Sequence, residues 1–373
     1  MDRALIPAAC VAACLLACAP ARPPAPATEA LVAAPHTEPA YFSEPRAGAN
    51  MFSVFPSARR FRAARALGIE MVRLVPDRWQ GLERDFLLGD ADGYRGLVAG
   101  DLERLRRVLD EAHAAGLRIV LGMLSLPGAR WRQHNDDEDD ARLWQSESFE
   151  RQAARFWGDL ARELRGHPAI VAYTPINEPR TDDNAAIRGV YARIVAAIRS
   201  ADPSVPIVLD VGRDAAPRAF VGFEPLDDPG VLYAFHFYEP WEHVTWRRNR
   251  GEVAYGGEAW SRAHLVEALA SVDRWRAEHG LSPTRIFAAE LGCDRRVPGV
   301  ERYLDDAIGL IEERGYHWAF YAFREDDWDG FDYELGARPL TEAEREIYAR
   351  GRALDLDRPG GPAFDVLLRH LRR

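Results

Sequence analysis

The sequence contains no lysine, and all 48 of its basic residues are arginine. Schiff-base aldolases, pyridoxal phosphate enzymes and P-loop nucleotide hydrolases each depend on a lysine side chain, so these three classes of enzyme are excluded. Acidic residues number 58, which gives the chain a formal net charge of −10. We expect no nucleic-acid partner, because phosphate backbones are bound by basic surfaces.

Cysteine is also scarce, and motifs for metal binding are missing. Three of the 4 cysteines lie in the first 18 residues, so Cys293 has no partner for a disulfide inside the folded domain, and we interpret it as a small buried residue. No H-x-H or H-E-x-x-H motif is present, which disfavours a metal-dependent hydrolase. The acidic run HNDDEDD at 134–140 lacks the spacing and the glycine of an EF-hand, and we interpret it as a solvated loop.

The first 45 residues have the composition of an export signal followed by a tether. A short basic start and an apolar stretch too short to cross a bilayer precede the sequence LLAC, which resembles a bacterial lipobox ending at Cys18. We therefore predict a lipoprotein-type signal peptide over residues 1–18 with lipidation of Cys18; an ordinary secretory signal cleaved near Ala17 or Ala19 is the alternative. Residues 19–45 are rich in proline and alanine and are typical of an extended tether. We expect an exported protein, held at the periplasmic or outer membrane only through this lipid anchor, or secreted.

From residue 46 to residue 373, short β-branched runs alternate with amphipathic helical runs. Such alternation in eight units predicts a single α/β domain with a (β/α)8 TIM barrel. A doubly wound open sheet is the alternative, but no G-x-G-x-x-G follows a predicted strand. The predicted strands are Ala47–Phe52, Glu70–Val75, Leu117–Leu124, Ile170–Ile176, Pro206–Val211, Val231–Tyr238, Arg285–Leu291 and His317–Phe323. The predicted helices are Ala58–Leu67, Asp101–Ala115, Ser146–Arg165, Asn184–Arg199, Ser261–His279 and Val300–Arg314.

Several predicted strands carry polar residues near their carboxyl ends, where buried strands are normally apolar. These residues are Arg73, Asn177, Glu178, His236, Tyr238 and Glu290. In a (β/α)8 barrel the carboxyl ends of the strands build the active site. Glu178 and Glu290, on strands four and seven, would then face each other across the barrel mouth. Two carboxylates that flank a bond are the catalytic groups of glycoside hydrolysis, which needs no cofactor beyond water.

The order and spacing of these residues resemble the cellulase type of glycoside hydrolase family 5, within the clan of (β/α)8 retaining glycosidases. The resemblance covers residues 48 to 340. Its segments are VRL at 72–74, INEP at 176–179, HFY at 236–238, AAELG at 288–292 and FREDDWDGFDYELG at 323–336. It implies that Glu178 is the general acid/base and Glu290 the nucleophile, with retention of configuration.

The resemblance also implies supporting roles for other residues. Asn177 would bind the 2-hydroxyl of the sugar, Arg73 and Tyr238 would orient Glu290, and His236 would line the site near Glu178. For Arg73, the alternative is a structural ion pair at the barrel rim. For His236, the alternative is a histidine that is packed in the core.

Two positions depart from the pattern of the family. Leu124 stands where many relatives have a histidine after strand three, and Phe323 or Tyr321 must replace a tryptophan after strand eight. Because aromatic rings stack on the apolar faces of sugars, we expect two of the loop tryptophans to contact the substrate. The candidates are Trp79, Trp131, Trp241, Trp246 and Trp328, of which we favour Trp241 and Trp328.

We therefore expect a monomeric, retaining β-glycosidase that cleaves O-glycosidic bonds in a β-linked poly- or oligosaccharide without a metal or cofactor. Cellulose-like β-1,4-glucan is the first substrate to consider. One alternative is a non-catalytic carbohydrate-binding lipoprotein on the same barrel. Another is a transglycosylase or a mannanase-type enzyme that acts on a cell-surface glycan.

Overall fold

The fold is a closed parallel barrel of eight strands, β1 to β8, hydrogen-bonded in chain order. The computed structural model describes residues 40–52, 55–80, 84–326, 330–350, 352 and 355–372. The strands are β1 Ala47–Met51, β2 Met71–Leu74, β3 Arg118–Gly122, β4 Ile170–Thr174, β5 Ile207–Asp210, β6 Val231–Phe237, β7 Ile286–Leu291 and β8 His317–Phe320. The prediction of a (β/α)8 barrel is confirmed, although every strand except β7 ends one to three residues earlier than predicted.

Helices follow the strands and cover the outside of the barrel. In chain order they are α1 Ala58–Ala66, α2 Ala99–Ala114, α3 Glu147–Leu164, α4 Asn184–Ala201, α5 Gly212–Ala215, α6 Trp241–Val244, α7 Trp246–Asn249, α8 Arg262–Glu278, α9 Val300–Glu313, α10 Glu342–Ala349 and α11 Pro362–Leu371. Short 3-10 turns occupy Ala40–Phe42, Asp77–Gln80, Arg132–His134, Arg142–Trp144, Pro217–Phe220, Pro283–Arg285 and Tyr333–Leu335. The six predicted helices match α1 to α4, α8 and α9, whereas α10 and α11 were not predicted. In the described ranges, no helix is both long and apolar enough to cross a membrane.

Two groups of apolar side chains form the core. One group fills the barrel interior and includes Met71, Val208, Ala234 and Ala289, all buried. The other lies between the strands and the surrounding helices, and it is larger. Phe42 belongs to the interior group, so residues 40–45, which we had assigned to the tether, begin the packed domain.

Side-chain alternation along the strands carries polar groups to the barrel mouth. Successive side chains of a strand point to opposite faces, so Arg73 follows Met71 into the interior and Asp210 follows Val208. Glu290 would break this rule, since its neighbour Ala289 already faces the interior. The pairing of β6 with β7 shifts between Phe235 and His236. A bulge of this kind re-aims the following side chain, which accounts for the inward direction of Glu290.

Candidate active site

The carboxyl ends of the strands surround a cleft of about 670 Å³, within the size range of small-molecule sites. Six polar residues were predicted to gather here. The cleft is lined by Asn177, Glu178, His236, Tyr238 and Glu290, and Arg73 lies directly beneath, fully buried. The structure therefore brings all six side chains to one place.

Glu178 stands on a turn rather than on the end of a strand. β4 already ends at Thr174, because the next residue, Pro175, has no N–H to continue the ladder. Our prediction that the strand reaches Ile176 was therefore wrong. Glu178 has a left-handed backbone with φ of 48°, a conformation that costs a non-glycine residue free energy and is often found at functional sites.

Glu290 is buried and is held by donors on both oxygens. Arg73 Nη1 donates to Oε1 at 2.6 Å, and the hydroxyl of Tyr238 donates to Oε2 at 2.8 Å. Burial raises the pKa of Glu290, while His236 and Arg73 act in the opposite direction. The carboxyl group is thus desolvated, and cationic neighbours favour its ionised form.

Arg73 connects four polar side chains beneath the cleft. Beyond its bond to Glu290, Nη2 donates to Asn177 Oδ1 at 2.7 Å and to Asp210 Oδ2 at 3.3 Å, and Nη1 donates to Asn50 Oδ1 at 3.3 Å. Burial alone would lower the pKa of Arg73, but Asp210 and Glu290 raise it overall. The guanidinium therefore stays charged and fixes its acceptors relative to one another. The alternative of a rim ion pair does not fit a side chain that is completely buried.

His236 lies among three carboxylates. Its Nδ1 is 2.8 Å from Glu178 Oε1 and 3.6 Å from Glu290 Oε2, and its Nε2 is 3.3 Å from Asp210 Oδ2. Burial would lower the pKa of His236, but Glu290 and Asp210 outweigh it and raise the pKa to about 10. The ring is thus an imidazolium at neutral pH, and it is more than a histidine packed in the core.

The two glutamates approach each other closely. One carboxylate oxygen of Glu178, one of Glu290 and a ring nitrogen of His236 lie within 4.8 Å of one another. Such a trio could in principle ligate a metal ion. Because the pKa of His236 is raised, a metal ion would have to displace a proton from the ring in order to bind there.

The aromatic side chains divide between the cleft and the core. Trp241, Trp131 and Tyr321 line the cleft, and the indole of Trp241 is 42% exposed. Phe323 is buried and is not among the described cleft residues; its N–H donates to the carbonyl of Asn50 at 3.0 Å. Strand β8 ends at Phe320, three residues earlier than predicted, and of the two candidates Phe323 and Tyr321 it is Tyr321 that lines the cleft.

The other predicted loop residues lie in different environments. Trp79 is buried in the core, and the partly buried Trp246 packs against the same core. Cys293 is fully buried, as expected. The acidic run at 134–140 is largely exposed, as expected of a solvated loop, and its Asp139 forms a surface ion pair with Arg180 at 2.8 Å. Trp328 and Cys18 lie outside the described residues.

Three polar residues of the site were not predicted from the sequence. Asp210 ends β5 and contacts both Arg73 and His236. Asn50 on β1 accepts from Arg73, and Glu325, 4% exposed, lines the cleft in the loop after β8. The signal for Asp210 was available, because it is a polar residue near the carboxyl end of a predicted strand.

Comparisons with known proteins match most of the chain to one family. The family model for cellulase, glycosyl hydrolase family 5, matches residues 45–327. A β-xylosidase of Phanerodontia chrysosporium is 24% identical over 321 residues, which cover 82% of this chain and 64% of that protein. Endoglucanase C of Acetivibrio thermocellus is 23% identical over 191 residues, or 51% of this chain and 52% of the relative. The chain thus spans roughly half to two thirds of these relatives.

Solved structures show the same fold. The endoglucanase Cel5A of Pseudomonas stutzeri matches with a TM-score of 0.64 at 18% sequence identity, and the match covers 87% of this chain and 94% of that one.

Proposed function

Because the chain belongs to glycosyl hydrolase family 5, the cellulase family, we propose that it is a retaining β-glycoside hydrolase whose catalytic carboxylates are Glu178 and Glu290. One observation carries the proposal: oxygens of the two carboxylates lie within 4.8 Å of each other at the barrel mouth. Retaining glycosidases place their carboxyl groups about 5–5.5 Å apart, whereas inverting enzymes need about 6.5–9.5 Å to admit a water molecule.

In the first half of the reaction, Glu290 attacks the anomeric carbon while Glu178 gives its proton to the departing glycosidic oxygen. Arg73 and Tyr238 hold the two oxygens of Glu290 and so fix its line of attack. Asn177 uses its Oδ1 to accept from Arg73. Its Nδ2–H group is therefore the end of the amide that can donate to the 2-hydroxyl of the sugar.

In the second half, water releases the sugar from Glu290. Glu178 takes a proton from the water as the water attacks the same anomeric carbon, which restores both carboxyl groups and retains the configuration. The imidazolium of His236, 2.8 Å from Glu178, keeps a proton within reach of this residue throughout.

A β-1,4-linked glucan, xylan or mannan is the substrate class that we propose, with glucan first. The names of the relatives, an endoglucanase and a β-xylosidase, support β-linked sugars. Trp131, Trp241 and Tyr321 provide aromatic surface in the cleft on which pyranose rings can stack. Leu124 lines the cleft at the position where many relatives carry a histidine, so the sugar next to Glu290 meets an apolar contact there.

The test compares the full chain with Glu178→Gln and Glu290→Gln on aryl β-glycosides and on the three polymers. We expect Glu290→Gln to lose at least about 10³-fold in kcat. Glu178→Gln should retain more activity on aryl glycosides, whose good leaving groups need little protonation. Glu278→Gln, which changes an exposed residue of α8, is the matched control. Proton NMR of the first product formed should show the β anomer.

Two outcomes would overturn the assignment. An α anomer as the first product would contradict retention. Background rates for the full chain and for Glu290→Gln alike, combined with binding of the glycan, would show a carbohydrate-binding protein instead of an enzyme.

We further propose that the protein is exported and anchored through Cys18, with residues 19–39 as a tether. The lipobox-like sequence LLAC supports this proposal. In a bacterial host, labelled palmitate should enter the full chain but not a Cys18→Ala variant. Equal labelling of both chains, or of neither, would argue against the anchor.

A further inference from the structure

Asp210 is a carboxylate at the centre of the site to which neither the proposed mechanism nor the sequence prediction gave a role. It is the last residue of β5 and is completely buried. Its Oδ2 lies 3.3 Å from His236 Nε2 and accepts from Arg73 Nη2 at 3.3 Å and from the backbone N–H of Glu178 at 3.2 Å. This one oxygen thus contacts His236 and Arg73, which between them contact both glutamates. It also accepts from the backbone of Glu178.

We propose that Asp210 is a positioning residue that keeps a proton on His236 for transfer to Glu178, so that Asp210, His236 and Glu178 form a proton relay. The inference rests on the proposed function, since it assigns to Glu178 the role of acid/base. Asp210 itself does not reach the cleft, and it acts through the imidazole ring.

The geometry of the ring supports the relay. Its Nδ1 forms a hydrogen bond with Glu178 Oε1 at 2.8 Å, whereas its Nε2 lies 3.3 Å from Asp210 Oδ2 without hydrogen-bond geometry. A neutral imidazole has one N–H and one lone pair, so it would turn a lone pair toward one of the carboxylates. An imidazolium places its positive charge between the two carboxylates. The contact with Asp210 therefore favours the doubly protonated ring.

The surrounding charges determine how firmly the proton is held. Arg73 approaches Asp210 from β2, and Glu290 approaches the ring from β7 at 3.6 Å. On the outer side, the hydroxyl of Tyr191 donates to the backbone carbonyl of Asp210 at 2.7 Å and fixes the end of the strand. Burial would raise the pKa of Asp210, whereas the cationic side chains of His236 and Arg73 lower it. The cations prevail, so the pKa of Asp210 is lowered and the carboxylate stays ionised.

The proton balance of the relay is closed. When the glycosidic oxygen departs, the O–H bond of Glu178 breaks and the proton moves to that oxygen. The Nδ1–H bond of His236 then breaks, an O–H bond forms on Glu178, and His236 becomes neutral beside the still ionised Asp210. During hydrolysis Glu178 gives this proton back to Nδ1 of His236, which leaves a carboxylate that accepts the proton lost by water. No net proton, oxidant or reductant is consumed.

The test is the pH profile of kcat/KM for Asp210→Asn, a variant of equal size that can still accept from the N–H of Glu178. Losing the charge should make the His236–Glu178 pair give up its proton more readily. The alkaline limb should therefore move by about one to three pH units toward acid, the effect of one close charge. Asp210→Glu, which keeps the charge, should restore part of the shift. Asp202→Asn, another buried aspartate that contacts Ser204 away from the cleft, should leave the limb in place.

A second measurement does not depend on activity. In ¹⁵N NMR of the full wild-type chain, the His236 ring should remain doubly protonated well above pH 7. Titration of His236 near pH 6.5, or an alkaline limb that Asp210→Asn leaves unmoved, would overturn the relay. If the wild type shows no glycosidase activity, the proposed function fails, while the same NMR titration of the wild type and of Asp210→Asn still reports whether Asp210 holds the proton on His236.

Discussion

Replacing Arg73 by methionine removes a buried guanidinium that contacts two carboxylates. Nη1 lies 2.6 Å from Glu290 and Nη2 lies 3.3 Å from Asp210, and the arginine side chain has no exposed surface. Methionine fills much of the same volume without the charge. We expect the fold to be less stable, because two buried anions lose their cation. We also expect Glu290 to take up a proton at higher pH.

The magnitudes follow from distance and burial. Opposite unit charges about 4 Å apart attract by about 4 kcal/mol at an effective dielectric of about 20. This energy corresponds to about three pKa units, since one unit is about 1.4 kcal/mol. His236 remains beside Glu290 in the variant, so we expect the acid limb of kcat/KM to rise by about one to two pH units. Removing one partner of a buried ion pair typically costs about 3–5 kcal/mol of folding free energy.

The assay combines the pH dependence of kcat/KM on an aryl β-glycoside with urea unfolding at pH 7. Arg285→Met is the matched control, because Arg285 is also buried but donates to the carbonyls of Val231 and Asp228, away from the cleft. It should lower the free energy of unfolding and leave the acid limb in place. If Arg73→Met loses stability with no movement of the acid limb, Arg73 does not maintain the ionised form of Glu290.

Three further predictions follow from the same contacts. Tyr238→Phe removes the hydroxyl 2.8 Å from Glu290, so kcat/KM should fall about tenfold or more, and the acid limb of its pH profile should move to higher pH. An acid limb that stays in place would contradict this. Trp241→Ala removes exposed aromatic surface in the cleft, so KM for the polymer should rise about two- to tenfold; a change confined to kcat would contradict stacking. The raised pKa of His236, about 10, stabilises the fold fully below pH 6.5, and this contribution is lost as pH rises through 10. Unfolding free energy should therefore fall from pH 7 to pH 10, and His236→Gln should weaken that slope.

The barrel and the two glutamates that face each other at its mouth could be predicted from the sequence because both depend on local patterns. Each strand is a short apolar run bounded by turn residues, and alternation with helical periodicity restricts the fold class. Glu178 and Glu290 interrupt or follow such runs, so they stand out. The bulge in the β6–β7 pairing that turns Glu290 inward could not be predicted, since no sequence pattern marks it.

The supporting residues were missed for a different reason. Asp210 and Asn50 are single polar residues inside predicted strands, and their importance lies in which side chains meet them across the barrel. Glu325 lies in the loop after β8, where the path of the chain, rather than the strand, decides what reaches the cleft. The choice between Phe323 and Tyr321 stayed open for the same reason, since an error of three residues in the end of β8 changes which side chain faces the cleft.

The absence of lysine finally makes the pH dependence of this site simple to interpret. Arginine stays charged at any pH below about 12, so the arginines that line the cleft do not titrate in the range where enzymes are assayed. Burial raises the pKa of Tyr238 well above its ordinary value, which removes it from that range as well. At the centre of the cleft, His236 lies 2.8 Å from Glu178 and 3.6 Å from Glu290. These contacts couple the charges of the cluster, so the two limbs of the profile belong to the cluster rather than to single residues. A substitution that moves one limb more than the other identifies the end of the cluster on which it acts, which is why Arg73→Met and Asp210→Asn should shift opposite limbs.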